Sequence, residues 1–251
     1  MAKIISLHSF RGGTGKSNTT ANLAGVFADQ GRRVGVIDTD ILSPGIHVLF
    51  GLNPSQIEYS LNNYLWEQCR LEQAVYDVTP GLGVPVPGKV YLIPSSLKPG
   101  EITRILREGY NTDLLNEGLL RLIDALALDI LLIDTHPGLN EETLFSIAFS
   151  DTLLLLLRPD QQDYQGTSVT LQVARKLGVP ELFLVVNKFP PKYKSEDIKA
   201  YIEENFFCEV AAAFPHSNDL MALASERIFA LKYPDHPLTT EYKRLAARVA
   251  P

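Results

Sequence analysis

The sequence predicts an α/β fold in which a doubly wound, mostly parallel sheet is flanked by helices on both faces. Short apolar runs alternate with longer helical patterns along the chain, as is typical of parallel strands joined by crossover helices. The first run is followed by a glycine-rich turn and a helix, and three later runs end in Asp or Asn. With 251 residues and 45% apolar composition, the chain can bury a large core. We therefore expect a single domain over residues 1–251.

The first strand is expected at 3–7 and the first helix at 16–30, with a glycine-rich loop between them. The loop, at 9–18, reads Ser-Phe-Arg-Gly-Gly-Thr-Gly-Lys-Ser-Asn. Its glycines permit backbone conformations in which successive N–H groups point at phosphate oxygens, at the positive end of the helix. In such a loop Lys16 reaches the β- and γ-phosphates, and the Ser17 hydroxyl ligates Mg²⁺.

The loop is a variant, because an ordinary phosphate loop has glycine where this chain has Phe10. The other interpretation is a glycine-rich turn without a ligand. The strand before the loop, the helix after it and the Gly-Lys-Ser ending favour phosphate binding. The residues predicted to contact the nucleotide here are Gly12, Gly13, Thr14, Gly15, Lys16, Ser17 and Asn18.

A second apolar run, at 34–37, ends in Asp38-Thr39-Asp40. Ligands gather at the carboxyl ends of strands in an open α/β sheet, so both carboxylates are expected beside the phosphate loop. Aspartate is also common in turns and helix caps. On these residues alone, a functional and a purely structural interpretation are equally open.

The central part of the chain carries elements but no recognisable chemistry. The stretch 79–88 is dense in Gly and Pro, which predicts a surface loop or hairpin. Aromatic residues here are expected to fill the layer between helices and sheet, with a partner surface as the alternative. Helices are expected at 55–67, 71–76, 101–107 and 113–128, and a strand at 90–93.

The next motif is an apolar strand at 130–133 that ends in Asp134, with Gly138 shortly after it. Such a strand delivers its carboxylate to Mg²⁺, usually through water, because Mg²⁺ keeps much of its hydration. The Gly138 N–H is expected to contact a γ-phosphate, in a loop that is ordered with ATP and released after hydrolysis. His136 is a candidate acid or base, but phosphoryl transfer needs no histidine, so a direct role is disfavoured.

The last part of the chain continues the alternation of strands and helices. The strand at 182–188 ends in Asn187, whose alternative interpretation is a simple turn residue. Proteins that recognise guanine have aspartate at the position of Pro190, so adenine is the favoured base. Further strands are expected at 153–157 and 211–214, and helices at 141–149, 161–177, 195–205, 219–230 and 239–249.

Together these motifs resemble those of the ParA/MinD superfamily of ATPases over nearly the full chain. Arg-Gly-Gly-Thr-Gly-Lys-Ser at 11–17 resembles the family's deviant Walker A loop. Arg11 stands where the family has its signature lysine, which reaches the partner's nucleotide across a dimer; arginine keeps the charge but not the geometry. Asp-Thr-Asp at 38–40 resembles the second nucleotide motif, and 134–138 resembles the Walker B strand with the second switch.

The resemblance implies ATP and Mg²⁺ as cofactors and a role for each motif. Asp38 would position the attacking water, and Asn187 and Pro215 would flank the base. The implied catalytic residues are Lys16, Asp38 and Arg11. The implied magnesium ligands are Ser17, Asp40 and Asp134. The implied nucleotide contacts beyond the loop are Gly138, Asn187 and Pro215.

The resemblance also implies a switch rather than a metabolic enzyme. ATP would assemble a homodimer, the dimer would bind a surface or partner, and slow hydrolysis stimulated by an adaptor would reset it. Such proteins position plasmids, chromosomes, division machinery or organelles such as carboxysomes. One alternative is a nucleotide-binding scaffold without turnover. Another is an iron–sulfur-carrier-like protein, disfavoured because neither Cys69 nor Cys208 lies in a cluster-binding motif.

Charge and composition narrow the partners and the location. The net charge of −6 gives no support to nucleic-acid binding. Nonspecific DNA binding and nucleoid association stay open through basic residues in two places: Lys192, Lys194 and Lys199, or the terminal Lys243, Arg244 and Arg248. Two distant cysteines suit a reducing compartment. With no leader peptide and no apolar run long enough to cross a bilayer, we expect a cytoplasmic protein. Membrane binding by the final helix is disfavoured.

Overall fold

One eight-stranded sheet runs through the protein. The strands are β1 (Lys3–His8), β2 (Arg33–Thr39), β3 (Tyr76–Asp77), β4 (Lys89–Ile93), β5 (Ile130–Thr135), β6 (Thr152–Leu157), β7 (Glu181–Phe189) and β8 (Val210–Pro215). They lie in the order β3-β4-β2-β5-β1-β6-β7-β8, and every neighbouring pair is parallel except β3 and β4. The computed structural model describes residues 2–250, so Met1 and Pro251, the ends of the domain predicted at 1–251, lie outside the described residues.

Helices cover both faces of this sheet, which confirms the predicted doubly wound fold. They are α1 (Lys16–Asp29), α2 (Ile46–Leu49), α3 (Leu61–Leu65), α4 (Pro99–Glu108), α5 (Thr112–Ala125), α6 (Glu141–Ala148), α7 (Gln161–Lys176), α8 (Ser195–Phe206), α9 (Asn218–Ala222), α10 (Phe229–Lys232) and α11 (Pro237–Val249). One face of the sheet packs on α1, α2 and α9 to α11. The other face packs on α3 to α8.

The central strands β5 and β6 are buried along their whole length. In β6, Leu154 and Leu156 face one helical layer, while Leu155 and Leu157 face the other. A parallel strand covered on both faces needs no polar side, which explains the unbroken run of leucines. Because β1 lies between β5 and β6, the glycine-rich loop after β1 and the aspartate near the end of β5 meet at one edge.

The helix predicted at 55–67 is wrong. A 3₁₀ turn over Pro54–Gln56 is followed by an extended residue, Ser60, and only then by the short α3. The Ser60 N–H and hydroxyl both donate to Asn63 Oδ1 at 2.9 Å, so the pair forms a new helix start inside the apolar pattern. The helix predicted at 71–76 is a 3₁₀ turn over Leu71–Ala74, and β3 then begins as an antiparallel edge strand.

The helix predicted at 219–230 is interrupted. The chain forms α9 and α10 instead, and between them Ala224 and Ser225 have φ values of 49° and 63°. Two consecutive left-handed residues end any right-handed helix. The apolar periodicity on both sides of the break was real, because Leu223 and Phe229 are both buried in the same core.

The apolar face of α11 is turned into the protein. Tyr242, Leu245 and Val249 are all buried against the sheet and α1. In residues 2–250, no helix has both the length and the apolar composition required to cross a bilayer. The side chains that a membrane-binding final helix would use are therefore already packed in the core.

Candidate functional site

The loop between β1 and α1 has the backbone that its glycines predict. Gly13 and Gly15 have φ values of 77° and 100°, a region that residues with a side chain rarely adopt. A Cβ atom on Gly15 would also overlap the carboxamide of Asn187. α1 starts directly after Gly15, whose carbonyl accepts the first helical hydrogen bond, from Thr19 N–H at 2.9 Å. The loop therefore passes straight into the positive end of a helix.

Lys16 lies inside this loop rather than on the surface. Its side chain is buried, and Nζ donates to Ser9 Oγ at 3.2 Å. Ser9 in turn donates to the carbonyl oxygen of Arg11 at 2.7 Å, which ties the start of the loop together. Burial lowers the pKa of Lys16, while the carboxylates of Asp134 and Asp40 act in the opposite direction. Ser9 was not among the predicted site residues.

Asp38 and Asp134 face each other across the ends of β2 and β5. They are directly paired in the strand register, and both are buried. Burial, and then the neighbouring charges of Asp134 and Asp40, raise the pKa of Asp38 well above its usual value. Its Oδ1 accepts from Asp40 N–H at 3.0 Å, whereas its Oδ2 has no hydrogen-bond partner among the described residues. The backbone of Gly45, like that of Asp40, counteracts part of this rise in pKa, and within residues 2–250 Oδ2 remains a buried acceptor without a hydrogen bond of good geometry.

Within the described chain, the carboxylate of Asp134 has side-chain hydrogen-bond donors that Asp38 lacks. Burial raises its pKa to about 6, and hydrogen bonding by the Ser17 hydroxyl and the charge of Lys16 limit the rise. The Thr20 hydroxyl lies 3.4 Å from Oδ1. The structure therefore brings Lys16, Ser17 and both strand-end carboxylates into one cluster, as the sequence predicted they would lie.

Asp40 is held by His136. The Nδ1–H of His136 donates to Asp40 Oδ1 at 2.7 Å, and the Ser43 N–H donates to the same oxygen at 3.2 Å. His136 is thus positioned to orient a carboxylate, and its side chain is only partly exposed. Asp40, Asp134 and Ser17 present the oxygen ligands that Mg²⁺ prefers.

The donor set fits Mg²⁺ bound together with phosphates rather than a self-sufficient metal centre. In the described part of the chain, no group of three or more His, Cys, Asp or Glu side chains could hold a metal ion by itself. Mg²⁺ is commonly held by one or two carboxylates plus phosphate oxygens and water, so this sparse set is appropriate. The unsatisfied Oδ2 of Asp38 adds a buried acceptor for an ordered water.

Arg11 leans away from the phosphate loop, towards the start of α7. Its guanidinium donates to Gln162 Oε1 and lies 3.9 Å from Asp163 Oδ1. Asp163 is buried and already accepts two hydrogen bonds from the Arg158 guanidinium, at 3.0 and 3.1 Å. Beside them, the ring of Phe10 packs on Gly166 so closely that a Cβ there would overlap it. Residues 10 and 11 are therefore docked on α7.

The end of β7 braces the same loop from the other side. Asn187 Nδ2 donates to the Thr14 carbonyl at 2.7 Å, and Oδ1 accepts from Lys188 N–H at 2.9 Å. Lys188 has a φ of 58°, and its Nζ donates to the Gly13 carbonyl at 2.8 Å. Sequence reasoning missed Lys188. Its place directly after a strand-end asparagine was the available signal.

The other two predicted nucleotide contacts lie at the same edge of the sheet. Gly138 has a φ of 91°, and its N–H donates to the Ser9 carbonyl at 3.0 Å, so this amide is paired with the phosphate loop. Pro215 ends β8 and is paired in register with Phe189 of β7. Both residues thus lie beside segments that contact the loop.

His8 is a buried titratable residue that the sequence did not single out. The Thr135 hydroxyl donates to the Leu7 carbonyl at 2.9 Å, so its oxygen accepts from His8 Nδ1–H at 2.7 Å. Burial, and then the charge of Lys16, lower the pKa of His8 to about 3. The imidazole is therefore neutral and links β1 to β5 just below the site.

Two curated relatives share about a quarter of their residues with the chain. An uncharacterized ATP-binding protein of Methanocaldococcus jannaschii is 27% identical over 251 residues, which cover 99% of this chain and 88% of the relative. An iron–sulfur cluster carrier protein of Methanococcus maripaludis is 28% identical over 193 residues, which cover 74% of this chain and 61% of the relative. The likeness to the first relative thus extends over nearly the whole chain.

Solved structures show the same fold. The septum site-determining protein MinD of Pyrococcus horikoshii, solved with Mg-ADP, has a TM-score of 0.81 at 23% identity, covering 99% of this chain and 96% of that one. MinD of Aquifex aeolicus, in a complex with MinC, has a TM-score of 0.80 at 18% identity, covering 99% and 95%. A family model described as an AAA domain matches residues 2–179, well over half of the chain. The chain therefore belongs to the AAA domain family, and its fold is the one seen in the MinD structures.

Proposed function

We propose that the chain is a Mg²⁺-dependent ATPase that works as an ATP-dependent dimerisation switch in the positioning or partitioning of cargo. One observation carries the proposal: a glycine-rich phosphate loop with buried Lys16 meets two strand-end carboxylates, Asp38 and Asp134, at one edge of the sheet. This is the arrangement that phosphoryl transfer needs, because positioning and charge stabilisation supply most of its catalysis.

The proposed roles follow from these contacts. Lys16 binds the β- and γ-phosphates after exchanging its bond to Ser9 Oγ for phosphate oxygens. Asp38 Oδ2 accepts a hydrogen bond from the attacking water and so orients it. Ser17, Asp40 and Asp134 hold Mg²⁺, which supplies charge neutralisation at the phosphates. Asn187 and Pro215 flank an adenine base.

Gly138 would couple the conformation of the 136–140 segment to the presence of the γ-phosphate. Its N–H is bonded to the Ser9 carbonyl, and the same N–H is the proposed γ-phosphate donor. One amide cannot make both bonds well, so ATP binding would pull the 136–140 segment away from Ser9. This exchange makes the position of that segment depend on the γ-phosphate.

Arg11 is the proposed contact across the dimer. Its side chain is 42% exposed, and its partners in α7 are a neutral carboxamide and a carboxylate that Arg158 already neutralises. The hydrogen bond to Gln162 is exposed and contributes about 1 kcal/mol, while the buried Asp163 lies 3.9 Å away and is already paired with Arg158. The phosphates of a partner's nucleotide would therefore compete successfully for the guanidinium.

The test is the oligomeric state of the purified protein, by sedimentation or light scattering, with ADP and with a non-hydrolysable ATP analogue. We expect a monomer with ADP and a dimer with the analogue. Arg11→Ala should abolish the dimer, whereas Arg244→Ala, which removes an exposed arginine on α11, should not. An oligomeric state that ignores nucleotide would favour a nucleotide-binding scaffold instead.

We propose an adaptor protein that stimulates hydrolysis, and nonspecific DNA as a candidate surface for the dimer. The DNA proposal is supported by the exposed lysines 192 and 194 in the loop between β7 and α8. Binding that appears only with ATP and weakens steeply with added salt would support it. A location in the cytoplasm, on the nucleoid where DNA is the surface, would follow.

An iron–sulfur carrier role is the second candidate, because one relative carries that name. Cys69 and Cys208 are both free and partly buried, and burial raises the pKa of each thiol. They pack against separate apolar clusters, one beside α3 and α5 and the other beside α8. This arrangement favours inert structural thiols. Anaerobic reconstitution with iron and sulfide should leave no cluster absorbance.

A further inference from the structure

A cavity of about 200 Å³ lies beside the phosphate site, and none of the roles proposed above uses it. Three segments enclose it: the residues that end and follow β2, the C-terminal end of α4, and the loop between β5 and α6. A cavity of this size suits a small molecule. The lining side chains that matter here are Thr39, Ile41, Leu42, Ile105, His136 and Asn140.

Part of the cavity lining is apolar. Ile41 and Ile105 are buried in one apolar cluster, and Leu42 is exposed. These three branched aliphatic side chains come from two separate segments and offer no hydrogen bond to a solute. This part of the lining therefore suits a compact, branched hydrocarbon group, which gains from leaving water.

The lining also includes the polar side chains of Asn140 and His136. Asn140 Oδ1 accepts from Thr143 N–H at 2.8 Å, which leaves the Asn140 NH₂ group as a donor. His136 uses Nδ1 on Asp40, which leaves Nε2. A ligand that satisfies the carboxamide must bring an acceptor, such as a carboxylate or carboxamide oxygen.

We propose that this cavity binds a small molecule with a branched aliphatic body and a carboxylate or carboxamide head, and that its occupancy alters ATP turnover. One link to the phosphate site is a hydrogen bond, because His136 lines the cavity and donates to Asp40 at 2.7 Å. Thr39 adds a second link, since its hydroxyl donates to the Asp134 carbonyl at 3.1 Å. The binding half stands alone, while the coupling half rests on the proposed ATPase function.

Binding is tested by calorimetry on the full chain without nucleotide, with 4-methylpentanoate and 4-methylpentanamide as probes. We expect saturable, one-site binding of at least one probe in the millimolar range, and none of acetate, which has the head without the body. Ile105→Trp fills the cavity and should weaken binding about tenfold or more. Leu120→Trp, on the exposed side of α5, is the matched control and should bind like the wild type.

Leu42→Trp, at the partly exposed rim, serves as a second filling variant should Ile105→Trp fail to fold. Selective binding of the acid or the amide supports the proposal and identifies the charge of the head. Absence of saturable binding by both probes, or equal binding by a folded filling variant, overturns it. Turnover that is measurable but unchanged at saturating probe overturns the coupling; an absence of ATPase activity with intact binding overturns the proposed function instead.

Discussion

At the scale of single residues, Asp38 is deeply buried, and its Oδ2 atom has no hydrogen-bond partner among the described residues. A buried carboxylate oxygen without a partner costs free energy unless a water, ion or ligand completes it. Asp134, directly opposite, adds a like charge. Such an arrangement is poor for stability and is typical of a residue retained for its chemistry.

Replacing Asp38 with asparagine should separate binding from hydrolysis. We expect ATP binding and the dimer to persist, and turnover to fall about 100-fold, because the water loses the acceptor that orients it. Removing one of two facing carboxylates should also raise the free energy of unfolding by about 1 kcal/mol. Phosphate release, nucleotide binding and urea unfolding measure the three effects.

The control for this variant is Asp124→Asn, on the exposed side of α5, which should change none of the three quantities. Turnover equal to that of the wild type in Asp38→Asn would show that Asp38 does not position the water. Absence of turnover in the wild type itself, with ATP still bound, would favour the scaffold.

His8 predicts a pH dependence of stability. Its pKa falls from 6.5 in the unfolded chain to about 3 in the folded one, so between these values the unfolded chain binds more protons. His8 therefore destabilises the fold increasingly as the pH drops through this window, by up to about 1.4 kcal/mol per pH unit. His8→Gln should remove that part of the slope in urea unfolding followed from about pH 7 to about pH 4.

The comparison is with His216→Gln, an exposed histidine after β8. That variant should keep the slope of the wild type. Because the buried carboxyls Asp38 and Asp134 contribute with the opposite sign in both proteins, only the difference between variant and wild type reports on His8. Parallel stability curves for wild type and His8→Gln would contradict the assignment.

At the scale of elements, the end of β7 acts as a brace for the phosphate loop. Asn187 and Lys188 each bind a loop carbonyl, of Thr14 and Gly13 respectively. Carbonyls bonded in this way turn the opposite sides of their peptide units, the N–H groups, towards the inside of the loop. The strand therefore helps to preorganise the donors that a phosphate would meet.

Removing the exposed Lys188 side chain should weaken ATP binding and leave the rate of hydrolysis unchanged. Lys188→Ala loses the hydrogen bond to Gly13, with a net value of about 1 kcal/mol, so ATP affinity should fall about fivefold. The hydrolysis rate of bound ATP should stay the same, because Lys188 touches no reacting group. Titration with a fluorescent ATP analogue and single-turnover kinetics separate the two quantities.

The control is Lys192→Ala, which also removes an exposed lysine, in the loop that follows β7. This variant should bind ATP with the affinity of the wild type. A fall in the single-turnover rate of Lys188→Ala, with affinity unchanged, would show that the brace acts on the chemical step instead.

At the scale of the whole molecule, the sheet and its edge were predictable, and the local breaks were not. Strands that are buried on both faces, such as β6, appear in the sequence as uninterrupted apolar runs. The carboxyl ends of parallel strands meet at one edge of the sheet, which predicted that Asp38 and Asp134 lie together.

The break at Ser60 depends on the Asn63 side chain accepting hydrogen bonds from the backbone N–H and the hydroxyl of Ser60, which periodicity does not register. Lys188 and His8 were missed because their partners lie far away in sequence. Ser9 was missed because its contacts with Lys16 and Arg11 depend on how the loop folds, which the residue pattern does not specify.

The same scale bears on domain organisation. We propose that residues 1–251 form one domain, supported by the single sheet that joins β1 to β8. α1 packs on α10 and α11, so the start and the end of the chain share one core. Limited proteolysis that yields no stable fragment is the expected observation.

The packing of Phe10 on Gly166 has a consequence for how this protein can change over generations. A larger residue at 166 would need the ring at 10 to be gone, while a smaller residue at 10 would uncover the surface of α7. The two positions are therefore expected to be inherited as a pair. Homologous sequences with a side chain at the place of Gly166 should carry a small residue, glycine above all, at the place of Phe10.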